Sequence, residues 1–207
     1  MARPITDPSG GVQLFWIPLG AGGSGLVRLS GRIYEARKAR RQERSPCPLY
    51  HTALQVLVPE GRFVVETMWP SPDPDFSSRG VVLEGPVISP VLGRIRMFRY
   101  EVRRWREGVL PDASGAIGGP QLVTREVGRA REILRLVEEV PNLVWGRDQL
   151  GAGEMWNSNS VVSWLLARGG IPVGSLLPPA GGRAPGWQAG IAAAGLSSLP
   201  GLSTSCG

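Results

Sequence analysis

Histidine, lysine and cysteine are nearly missing from this chain. Its 207 residues hold one histidine, His51, one lysine, Lys38, and two cysteines, Cys47 and Cys206. Two cysteines make no disulfide framework. With one imidazole and two distant thiols, a zinc site would need carboxylates for most of its ligands, which is uncommon, so neither metal nor cofactor is expected. No apolar run is long enough to cross a bilayer, and residues 1–10 carry neither a basic nor a hydrophobic leader segment. No transmembrane segment is therefore expected, and a cytoplasmic address is the default.

What is present is arginine, which with Lys38 supplies 23 cations against 17 acids, a net charge of +6. Two readings are open. Clustered guanidinium groups suit phosphate or carboxylate, but a chain this rich in glycine, alanine, proline and arginine also fits simple compositional bias, which is preferred. Residues 35–44 read as a basic helix carrying Arg37, Lys38, Arg40, Arg41 and Arg44. A polyanion could dock there. No aromatic residues interleave with these cations as base stacking requires, so the helix reads as a solvated face and nucleic acid is not the expected partner.

An apolar fraction of 42% over this length is enough for one domain with its own core. Residues 1–25 read as an N-terminal arm that includes a short apolar strand at 12–18, and residues 20–25 as a glycine-dense turn. The runs 26–29 and 32–34 flank Ser30-Gly31 as a hairpin would. Ser45-Pro46 stops the basic helix. A second hairpin is expected from strands 51–58 and 62–68 about Pro59-Glu60-Gly61, followed by a proline-rich loop at 69–78 that borders a cleft. Strands are expected at 80–84 and 94–105. Thr124 is expected to cap a helix bearing Val127, Ala130, Ile133, Leu134 and Val137 inward. Residues 171–207 read as a Gly/Pro/Ala-rich tail, wrapped on the domain through Leu176, Leu177 and Trp187, with about its last fifteen residues disordered.

The most informative stretch begins at Glu154. Val161, Val162, Leu165 and Leu166 recur at helical spacing, Asn157 is a natural N-cap, and Gly169-Gly170 ends the helix. Ser158 then occupies the first helical position, against unpaired backbone N–H groups and the positive end of the helix dipole. Ser160 is a weaker rival, roughly 200° further around the axis. Cys47 sits about 13 Å from His51 if the chain between them is extended, which argues against a catalytic role for Cys47.

The segment Asn157-Ser158-Asn159-Ser160-Val161-Val162-Ser163-Trp164-Leu165 resembles the Asn-Cys-Glu-His-Phe-Val-Thr-Trp-Leu helix start of the circularly permuted papain-like proteins, such as the lecithin:retinol acyltransferase group. Ser158 lies on the cysteine of that motif. In this permuted order a histidine opens a strand upstream, and His51 heads Leu54-Gln55-Val56-Leu57-Val58. A turn and a second strand follow, which places Glu66 at the third polar position. The match spans about residues 26–170. It implies an α+β fold in which an antiparallel sheet packs against two or three helices, with the circularly permuted papain-like topology.

Serine at the nucleophile position changes the chemistry that this resemblance implies. A thiolate can be stored at neutral pH, whereas a serine hydroxyl must pass its proton to a base in the transition state. The expected function is a hydrolase or acyltransferase acting on an amide or ester of a small-molecule, lipid or peptide substrate. Ser158 attacks, His51 carries the proton, Glu66 orients His51, and Trp156, Asn157 and Asn159 contact the substrate. The first alternative is a catalytically inactive papain-like module that binds an acyl or peptidyl ligand. The second is the arginine-dependent polyanion binder. The oligomeric state is left open.

Overall fold

The computed structural model describes residues 10–20, 25–70, 80–110 and 113–196. Six strands form one antiparallel sheet: β1 (Gly11–Pro18), β2 (Tyr50–Val58), β3 (Gly61–Met68), β4 (Val81–Pro86), β5 (Arg99–Arg106) and β6 (Gln121–Thr124), in the order β4-β5-β3-β2-β1-β6. Among the described residues four helices complete the α+β architecture: α1 (Gly25–Arg41), α2 (Val127–Leu136), α3 (Ser158–Arg168) and α4 (Trp187–Ala193). None of the described helices is long and apolar enough to cross a membrane.

Alternation along the strands sorts side chains onto two faces. Leu14, Leu54, Val56, Val65 and Val102 point to the main core, where Ala130 and Ile133 of α2 and Val161, Val162, Leu165 and Leu166 of α3 cover them. Phe15, Ile17, Ala53 and Val64 lie on the other face and pack with Leu110. This second face also carries charge. Glu101 and Arg103 are fully buried, with Arg103 Nε donating to Glu101 Oε2 at 3.0 Å.

The order of the expected strands and helices largely holds, with local corrections. Residues 26–34 form no hairpin, because the backbone there runs continuously through α1. The N-terminal arm is not an appendage: β1 lies inside the sheet between β2 and β6. The expected strand at 94–105 begins only at Arg99, after two 3₁₀ turns at Leu92–Arg94 and Arg96–Phe98. Thr124 closes β6, and its hydroxyl accepts from the Glu126 N–H at 3.1 Å, so the residue flanking α2 is Glu126. The tail is a working part of the core, for Leu176, Trp187 and Ile191 are buried while Leu177 is exposed. Of the glycine-dense turn at 20–25, the loop at 69–78 and the expected disordered end, residues 21–24, 71–78 and 197–207 lie outside the described residues, whereas Ala193, at the start of that end, closes α4.

Candidate functional site

Antiparallel pairing brings the end of β1, the start of β2 and the end of β3 to one edge of the molecule, as the pairing Pro18↔Tyr50 records. A cavity of about 320 Å³ opens there. Leu19 follows β1, Leu49, Tyr50 and His51 open β2, and Trp69 follows β3. Tyr34 comes from α1, Trp145 and Met155 from the approach to α3, Asn157, Ser158 and Asn159 from its first turn, and Pro185 from the tail. His51 and Ser158, more than a hundred residues apart in sequence, thus line one cavity.

The start of α3 is built by a reciprocal cap. The Asn157 side chain accepts from the Asn159 N–H at 2.9 Å and the Ser160 N–H, while Ser160 Oγ accepts from the Asn157 N–H at 3.0 Å. This is the capping-box arrangement with serine in the returning position. Other polar side chains at the start of the helix bond to the tail. Asn157 Nδ2 and Asn159 Nδ2 both donate to the Pro185 carbonyl at 2.8 Å. Ser160 Oγ donates to the Gly186 carbonyl at 2.7 Å and Ser163 Oγ to the Trp187 carbonyl at 2.8 Å. Asn159 is held further by the Thr52 hydroxyl, which donates to its Oδ1 at 3.0 Å, and by its own donation to the Tyr50 carbonyl at 3.0 Å.

Glycines let the tail approach this closely. Gly186 has φ +92°, and a Cβ there would stand 2.3 Å from Asn157 Oδ1. A Cβ at Gly190 would stand 2.1 Å from the Ser160 carbonyl oxygen. Both positions exclude any side chain.

Ser158 differs from its neighbours. It is 7% exposed and lines the cavity, yet among the described residues its hydroxyl has no hydrogen-bond partner. Its backbone N–H, first in the helix, is one of the donors that an α-helix leaves unpaired. A hydroxyl and a backbone donor at the positive end of a helix dipole thus stand at one residue.

The other expected site residues fall in different places. Trp156 is a correction: it is 1% exposed in the core, its ring N–H donating to the Tyr100 hydroxyl at 3.3 Å, and it does not reach the cavity. Asn157 and Asn159 do line the cavity, but their amides are engaged by protein groups, so they shape the wall rather than present donors to a substrate. His51 alternates with Thr52, whose hydroxyl faces α3, so His51 leaves β2 on the opposite face and borders the cavity at the sheet's end. Glu66 shares that second face, and its cross-strand neighbour on β5 is Arg103. The β2–β3 ladder runs from Val58↔Gly61 to Leu54↔Val65, and Glu66 lies one step past it.

Trp69, Trp145, Tyr34, Met155 and Pro185 are site residues that sequence reasoning did not assign as ligand contacts. They come from separate loops and helices, and only the loop character of 69–78 hinted at a cleft border. Burial, with the charge of Glu154 adding to it, raises the Tyr34 phenol above its ordinary range and keeps it neutral. An adjoining cavity of about 350 Å³ shares Leu19 and Leu49 and carries Glu35 and Cys47. Cys47 is buried there, and Arg44 Nη1 donates to its Sγ at 3.4 Å. Among the described residues no cluster of three or more histidine, cysteine or acidic side chains could hold a metal ion. No family model matches the chain, and neither a curated protein nor a solved structure matches it.

Proposed function

We propose that the chain is a serine-dependent acyl-transfer enzyme, a hydrolase or acyltransferase acting on an ester or amide. Ser158 Oγ bonds to the substrate carbonyl carbon as its proton passes to His51, and the Ser158 N–H donates to the oxyanion. The C–O or C–N bond then breaks, and the leaving group departs with the proton from His51. Water, or an acceptor alcohol or amine, repeats the sequence in reverse and frees the acyl group from Ser158. Glu66 is the third group of the proposal, on the sheet face that His51 shares.

One observation carries this reading. Every other polar side chain in the first turns of α3 is consumed by the cap or the tail, and Ser158 alone keeps its hydroxyl for the cavity that His51 borders. The chain order of histidine strand, turn, Glu66 strand and serine helix supports the circularly permuted papain-like assignment. The alternative of a non-catalytic cleft draws on a different observation: the Ser158 hydroxyl has no imidazole partner in the unliganded geometry. Catalytic hydrogen bonds often tighten only when substrate is bound, so catalysis remains the stronger reading.

Intact-protein mass after incubation with a fluorophosphonate separates the two. A single adduct on the wild type is expected, none on Ser158→Ala, and on His51→Ala a labelling rate lower by about 10²–10⁴-fold. A wild type that stays unlabelled, or a label that persists in Ser158→Ala, would overturn the proposal.

A further inference from the structure

Aromatic rings dominate one side of the cavity. Trp145 is fixed from behind by Tyr100, with ring centroids 5.4 Å apart, and from its backbone, whose N–H donates to the Pro86 carbonyl at 2.9 Å. Trp69 stacks on Trp145 at 5.9 Å and 52° but stays 45% exposed, although a buried tryptophan face would be worth far more to stability. Its free area belongs to a residue lining the same cavity as Ser158. Among the described lining residues there is no acid, lysine or arginine.

We propose that the cavity takes an uncharged ester or amide carrying an aromatic ring beside its reacting carbonyl, with the ring packed on Trp69 and Trp145. This rests on the acyl-transfer reading of Ser158 and names its substrate class. A flat ring gains from tilted or offset contact with the indoles beyond the area it buries. An ionised group entering the cavity loses its hydration, and the described lining residues offer it only the partial positive charge at the start of α3, with no lysine, arginine or acid to pair it. The volume of about 320 Å³ suits a small ring-bearing molecule rather than a macromolecular chain.

The test uses the full chain carrying Ser158→Ala, so that binding is read without turnover. Tryptophan fluorescence and calorimetric titrations compare phenylacetamide, cyclohexylacetamide and the phenylacetate anion. Phenylacetamide is expected to saturate and to bind about twofold to tenfold more tightly than cyclohexylacetamide, with phenylacetate weaker than both. Adding Trp69→Ala, or Trp69→Leu where bulk is needed for folding, is expected to bring the two amides to equal affinity. Equal affinity before that change, tighter binding of the anion, or no saturable binding would each overturn the inference. Labelling of the wild type by a benzylic phosphonyl fluoride gives the second readout. Ring-selective binding by a wild type that resists labelling leaves the specificity standing and removes the chemistry, whereas labelling with no ring selectivity does the reverse.

Discussion

A carboxylate taken out of water keeps its charge only when hydrogen bonds and cations offset the lost hydration, and two glutamates here fall on opposite sides of that balance. Glu154 Oε2 accepts from the N–H groups of Gly186 and Gln188 at 2.8 and 3.0 Å, which ties the approach to α3 to the start of α4. Its burial outweighs those bonds and the charges of Arg183 and Lys38, and its pKa is raised. Burial also pushes Glu35 upward, but hydrogen bonds from Arg44 and the Cys47 N–H and the Arg44 charge together bring its pKa below the ordinary value. The signs follow from proton counting. A raised Glu154 holds its proton in the folded state to higher pH than in the unfolded chain, so its contribution is most favourable below the ordinary 4.5 and is lost as pH rises to the folded value. Glu35 contributes above its ordinary 4.5, and that stability is lost as pH falls through its lowered folded value. Glu154→Gln keeps an acceptor for the two N–H groups and removes the titration. Its melting temperature is expected to gain on the wild type as pH rises above 4.5, measured by thermal melts in matched buffers. A difference between the two proteins that does not change with pH would show that Glu154 does not titrate in that window.

At the scale of elements, the contact between α3 and α4 decides whether the site exists. Gly190 sits inside α4, where alanine would be better by about 1 kcal/mol on intrinsic helix propensity. A methyl group there overlaps the Ser160 carbonyl, and overpacking of that kind costs about 1–3 kcal/mol or more. The steric term wins. Gly190→Ala is therefore expected to lower unfolding free energy in urea by up to about 2 kcal/mol, and a stabilised variant would refute the close approach. This contact was not legible in the sequence, because α4 is an alanine- and glycine-rich segment without apolar periodicity that becomes a helix by packing on α3. The start of α3 was legible: Asn157, Ser158 and the apolar spacing that follows are local signals. The β2–β3 hairpin was equally plain from Pro59-Glu60-Gly61. Residues 26–34 misled because Ser30-Gly31 imitates a turn, while one glycine within a long helix is a tolerable penalty. Residues 94–98 misled because Ile95 and Met97 alternate as a strand would, yet both are exposed on 3₁₀ turns and meet no sheet partner. For the site, His51 and Ser158 were readable from position, whereas the Trp69–Trp145 stack and the Arg103 beside Glu66 depend on pairings between distant strands and loops that no local pattern encodes.

On and around α2 the surface charge is paired. Arg129–Glu126, Arg131–Glu60 and Arg135–Glu132 pair on the surface at 2.8, 2.7 and 2.6 Å, and such exposed pairs add little stability while breaking up a uniform positive field. What holds the molecule together as one unit is the tail. Trp187 stacks on Trp16 of β1 with ring centroids 5.1 Å apart, and Ile191 is fully buried in the main core. Burial of those two side chains is worth about 3–6 kcal/mol. The carbonyls of Pro185, Gly186 and Trp187 satisfy side chains of α3, and those hydrogen bonds are lost with the tail. A chain ending at Gly182 is therefore expected to lose its cooperative urea transition in far-UV circular dichroism, and with it the cavity wall that Pro185 supplies. A truncated chain that unfolds cooperatively within about 2 kcal/mol of the full-length protein would make the tail an appendage and restore a domain boundary near residue 170. Loss of the transition would mean that the start of α3 is held in place by residues 183–196, whose carbonyls its side chains bond.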